Sequence, residues 1–206
     1  MAHAESRHPR CPLSDDRLGW LMLGRHYGLP TRVLDWSWSP LVALYFAAQE
    51  DKNTPGIDGC IWALEPGRMN LQMMGDRRFL AADEPRVLDI AEIAFESSMD
   101  AFRAKTSVLV DKAFAVGTRE IDPRVLVQQG AFTIHADGAD LADLDYVYPR
   151  DPPPAPPWRR VFRVPSASKS WLLEVLGAVG IRKSSLFPDL GALAEDIKLR
   201  PMLSGP

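Results

Sequence analysis

Two cysteines, Cys11 and Cys60, stand far apart in a chain of 206 residues and form no CxxC pair. That scarcity excludes a disulfide framework and offers no zinc site, so reduced thiols and no bound metal are the expectation. Long apolar runs are missing as well. No stretch reaches the roughly 20 residues that crossing a bilayer requires, and the polar start MAHAESRHPRCPL lacks the apolar core of a signal peptide. The expectation is a cytoplasmic protein with no membrane partner. An excess of positive charge is also absent. With 24 Lys and Arg against 27 Asp and Glu, and a pI of about 5.8, the chain has no global field to gather a phosphate backbone. This argues against a dedicated duplex binder. The basic pairs Arg77-Arg78, Arg159-Arg160 and Arg182-Lys183 are short enough to read as solvated surface.

What is present is ordinary globular material: 46% hydrophobic and 25% charged residues, enough for one main domain with a sizeable core. Residues 1–15 read as irregular, 16–200 as a single domain with a proline-rich connector at 149–158, and 201–206 as a tail. Residues 16–26 (DRLGWLMLGRH) predict a helix with Leu18, Leu21 and Met22 on one face, followed by a turn at 27–30 and an extended run at 31–36. Ser39 and Pro40 then open a helix, with serine as cap and proline at the first helical position; its stripe is Leu41, Leu44, Tyr45 and Ala48.

Residues 60–64 have the character of a buried strand, 66–85 read as irregular, 89–105 as helical, and 108–110 as a short strand. Residues 124–135 (RVLVQQGAFTIH) alternate β-favouring side chains around Gly130, which predicts a strand with a bulge. A strand at 160–164, a helix at 168–179 ended by Gly180, and a last helix at 192–199 complete the chain. A helix on a sheet holding both 60–64 and 125–134 gives an α+β expectation: a central mixed or antiparallel sheet flanked by helices.

Between the first two helices Arg25, His26, Tyr27, Thr31, Arg32, Asp35, Trp36, Ser37 and Ser39 crowd into one short segment. Polar groups beside apolar helices need partners. The structural reading is a self-satisfied network: Asp35 takes Arg32 or Arg25, Ser39 caps the helix, and His26 bonds to backbone. The functional reading rests on density, because loops rich in titratable and hydroxyl groups on a rigid scaffold are where sites are built.

The run from His26 to Arg32 (HYGLPTR), with Leu34-Asp35-Trp36 and Ser39 to Ala47 (SPLVALYFA), resembles the core signature of the FRG domain family. Gln128 to His135 (QQGAFTIH) and Ser185 to Leu190 (SLFPDL) are similar to the family's later motifs. The Phe/Tyr-Arg-Gly tripeptide that names the family has no counterpart in residues 1–24, which implies a truncated member or a lost element.

A further resemblance, to ADP-ribosyltransferases, is carried by Ser37-Trp38-Ser39, Ala43 to Ala47 (ALYFA) and Gln128-Gln129-Gly130. It implies a similar fold and a nicotinamide pocket with NAD as substrate. Tyr27, Trp36 or Tyr45 would stack on the ring, with Thr31, Asp35, Ser37 and Ser39 around the nucleotide. His26, Arg32 and Gln129 would be the catalytic candidates. In such enzymes a glutamate steadies the charge that develops as nicotinamide leaves. Gln128 and Gln129 are neutral, so this chain would be weak, would borrow Glu92 or Glu96, or would be inactive. The implied role is a transferase or NAD glycohydrolase acting as effector or toxin in bacterial or phage conflict. The alternative is a non-catalytic module binding single-stranded RNA or a protein partner, or an inactive remnant.

Overall fold

The computed structural model describes residues 11–51, 53, 55–95, 113–118, 123–135 and 158–199. In chain order the elements are α1 (Arg17–His26), β1 (Val33–Ser37), α2 (Pro40–Ala48), β2 (Gly59–Leu64), α3 (Pro66–Met74), α4 (Pro85–Phe95) and β3 (Ala113–Val116). There follow α5 (Pro123–Val127), β4 (Gly130–His135), β5 (Arg159–Val164), a single 3₁₀ turn, α6 (Lys169–Ala178), α7 (Lys183–Leu186) and α8 (Leu190–Leu199). The fold class is α+β, as the sequence predicts. Two compact units form within it, one from the spans Met1–Trp36, Leu64–Ile121 and Ala131–Arg159, the other from Ser37–Ala63, Asp122–Gly130 and Arg160–Pro206.

In the first unit, α1 starts where the Asp16 carboxylate accepts the Gly19 N–H at 3.0 Å. Its predicted face is buried, joined by Trp20 and Leu23, and it packs against α4. The sheet runs β1-β4-β3. β3 is antiparallel to β4, with Ala113 opposite His135 and Val116 opposite Phe132. On the other flank, the His135 N–H donates to the Arg32 carbonyl at 2.8 Å. All of β3 and residues 131–134 of β4 are buried, so both strands are covered on both faces and carry unbroken apolar runs rather than alternation.

Helix α3 lies on β3. From it the fully buried Asn70 works as a surrogate peptide group. Its Oδ1 accepts the Ala115 N–H, and its Nδ2 donates to the carbonyls of Ala115 and Arg78, each at 2.9 Å. The outer edge of the sheet is thereby closed at that point.

In the second unit, Ser39 Oγ accepts the Val42 N–H at 3.4 Å and Pro40 takes the first helical position. Helix α2 packs on α6, and Val42 and Tyr45 join Leu176 and Leu186 in one buried cluster. The buried stripe is Val42, Tyr45 and Ala48, one step round from the expected one; Leu41 is 45% exposed and Leu44 only partly buried. The partner is a helix instead of a sheet.

The expected single sheet is also corrected: β2 pairs with β5 in a separate two-stranded sheet, away from β4. Strand β2 is only half buried, with Cys60 and Ala63 exposed. At its start a Cβ on Gly59 would sit 2.0 Å from the Ala47 carbonyl oxygen, so only glycine lets β2 leave the end of α2 so closely. Asp58, just before it, accepts the Ser166 N–H at 2.7 Å and pairs with Arg163, which fastens β2 to the far end of β5.

Two elements depart from expectation. Residues 66–74, read as irregular, are helix α3; Pro66 opens it and Gly75 closes it at φ 73°. Residues 124–135 are not one bulged strand but α5, a turn, and β4. The expected strand at 108–110, the connector at 149–157, the helix beyond 95, the irregular start at 1–10 and the tail at 201–206 lie outside the described residues.

Candidate functional site

The boundary between the two units falls between Trp36 and Ser37, inside the polar cluster. His26, Tyr27, Thr31, Arg32, Asp35 and Trp36 belong to the first unit; Ser37, Ser39, Tyr45 and Gln129 belong to the second.

In the first unit the segment is built on the end of α1. The Tyr27 N–H returns to the Leu23 carbonyl at 3.2 Å and the Leu29 N–H to the Gly24 carbonyl at 2.9 Å. Gly28 between them sits at φ 83°, a left-handed helix stop. The stop throws Tyr27 to the surface, 62% exposed, with the His26 ring edge-on against it at 5.0 Å. Arg25 Nε donates to Asp35 at 2.7 Å, so the loop is tied by Arg25, one of the two partners foreseen for that carboxylate. That contact uses one of five guanidinium donors. The Thr31 hydroxyl is buried with no hydrogen-bond partner.

Trp36 is placed by β1 so that its indole Nε1 donates to Thr133 Oγ1 at 3.0 Å, and Thr133 Oγ1 lies 2.8 Å from His135 Nε2. Indole can only donate, so the threonine accepts there and its own proton can serve a His135 protonated at Nδ1. Thr133 and His135 were not among the site residues foreseen from the sequence. The signal that could have found them is parity: two residues apart on a strand, they share a face.

In the second unit three distant stretches meet. Ser37 Oγ donates to the Gln128 carbonyl at 2.6 Å and accepts the Ser39 N–H at 3.0 Å, and Gln128 Nε2 donates to the Leu186 carbonyl at 3.0 Å. The Trp38 N–H donates to the Gln129 carbonyl at 2.9 Å. Around this junction the Arg124 guanidinium lies 4.6 Å from the centre of the Phe187 ring, which in turn meets Phe46 edge-on.

The hydroxyls of Ser37 and Ser39 and the amide of Gln128 are thus engaged in holding backbone. Gln129 follows α5 in the left-handed region at φ 49°, exposed and off the strand, so the alternation that would have aimed it does not apply. Tyr45, expected to stack on a ligand, is 7% exposed and part of the core. Burial pushes its phenol up, Asp196 adds to this and Lys183 opposes it.

The segment that carries His26 to Ala47 is also the one with a family likeness. Residues 2–55 match the family model of the FRG domain. No curated protein and no solved structure matches the chain. The FRG match lends no support to the ADP-ribosyltransferase likeness. It covers α1, β1 and α2, so the matched segment contributes elements to both units. Among the described residues no helix is long and apolar enough to cross a membrane.

Proposed function

We propose that the chain binds an NAD-like nucleotide without cleaving it. The observation that carries this is Tyr27, an exposed ring held on a rigid helix stop, backed by His26 and set on the same short segment as Arg25 and Arg32. A base or nicotinamide ring stacked on a fixed aromatic gains about 1 to 3 kcal/mol. The remaining guanidinium donors of Arg25 suit a phosphate.

Cleavage asks for more, namely an anion at the leaving nicotinamide. Gln128 is spent on Leu186, and Glu92 pairs with Arg17 at 3.6 Å. Capture without cleavage fits a sensor better than a toxin. The test is calorimetric titration with NAD, ADP-ribose and a short single-stranded RNA, alongside assay of nicotinamide release. Saturable binding of NAD and ADP-ribose, weakened about tenfold or more by Tyr27→Ala without loss of melting temperature, is the expected result. Binding of RNA alone would transfer the surface to the single-stranded RNA reading; release of nicotinamide would restore the enzyme.

A further inference from the structure

We propose that β5 accepts an extended acidic peptide as a third strand of the β2–β5 sheet, a surface separate from the nucleotide segment. β5 has one strand neighbour, β2, and among the described residues no strand lies on its other edge. Four consecutive residues, Arg160 to Arg163, are exposed. Val161 and Phe162 are 53% and 52% exposed. Side chains alternate across a strand, so each face of β5 shows one arginine and one apolar residue: Arg160 with Phe162, Val161 with Arg163. The far end of the strand is tied down, because Asp58 holds both Arg163 and the Ser166 N–H. An edge that is fixed in register, apolar and open is a template for strand addition.

Charge selects the occupant. A second copy pairing antiparallel about Val161 and Phe162 would set Arg160 against Arg163, and parallel pairing would set each arginine against itself; like charges opposite one another destabilise a sheet. Arg160 makes no ion pair among the described residues. A strand with two acidic side chains flanking two apolar ones places one acid by Arg160 and the other by the guanidinium donors that Arg163 keeps beyond its Asp58 bond, with its apolar pair beside Val161 and Phe162. A phosphate backbone would find the same arginines but no field around them, since the spans of the second unit hold nine Lys and Arg against eight Asp and Glu.

The experiment is fluorescence anisotropy of the full chain with a labelled ten-residue peptide bearing two glutamates separated by two valines. A lysine analogue, a backbone N-methylated analogue and oligo(U) serve as the other arms. The acidic peptide should bind saturably and the other three at least tenfold more weakly. Arg160→Glu, melting with the parent, should lose the acidic peptide and gain the lysine analogue. The proposal is overturned by absent saturable binding, by equal binding of the N-methylated peptide, by indifference to Arg160→Glu, or by preference for oligo(U).

Discussion

In the first unit every residue of β3 is buried and part of the strand's outer edge is closed by a side-chain amide from α3, whereas in the second unit β5 exposes four residues in a row and the core is left to helices. The first unit closes its edge strand at Ala115 with the Asn70 amide, so an added strand would find no free backbone group there. The second leaves backbone and apolar groups available on a strand. Burial on both faces makes a sheet stable and mute; exposure makes it able to take a partner.

The largest effect should come from Asn70→Leu, which strips the amide and leaves buried N–H and carbonyl groups of Ala115 and the Arg78 carbonyl without partners. About 3 kcal/mol or more of unfolding free energy should be lost in urea titration, whereas Arg160→Ala on β5 of the second unit should cost under about 0.5 kcal/mol. Equal costs would break the contrast.

Gly59→Ala comes next. Its methyl would meet the Ala47 carbonyl, so roughly 2 kcal/mol should be lost. Hydrogen exchange should speed up in α2 and β2 and not in β3, and uniform acceleration would show that the units do not open separately.

A smaller effect is one of pH. The Ser166 N–H, then Arg163, hold the Asp58 carboxyl below its ordinary value. A group lowered in the folded state contributes stability that is complete above the unfolded carboxylate value of about 4 and disappears as pH falls through the folded one. Acid titration of stability in the wild type and Asp58→Asn should therefore diverge above that window and converge below it; parallel curves would remove Asp58 from the account.

The smallest is Asp35→Asn. Both partners of the Arg25 pair are substantially exposed, so less than about 1 kcal/mol should be lost, and salt should shrink it further. A larger loss would mean the pair organises the Tyr27 stop.

Much of the fold was legible. Ser39-Pro40, Asp16 and Gly180 gave helix ends because caps are local chemistry, readable without knowing what packs where. What depended on neighbours was not. Val125-Leu126-Val127 has strand-favouring residues yet forms a five-residue helix, packed on α7. Gln129 occupies a conformation usually left to glycine, although Gly130 follows it. Helix α3 carried its cues in Pro66 and Gly75, but its Met and Gln run showed no clear stripe.

The polar cluster divides between the two units at Trp36 and Ser37. Ser37 and Gln128 knot three stretches of chain together and Ser39 caps its own helix, demands of architecture that look, in one dimension, like chemistry.

That knot has a consequence for synthesis. The FRG-matched segment is synthesised before its partners: Trp36 finds its bond on Thr133, and Val42 and Tyr45 are covered by Leu176 and Leu186. At translation speeds of about 5 to 20 residues per second, β1 and α2 must wait on the order of ten seconds for those contacts. Through that interval the most recognisable part of the chain is its least protected, and a nascent-chain binder would meet it first there.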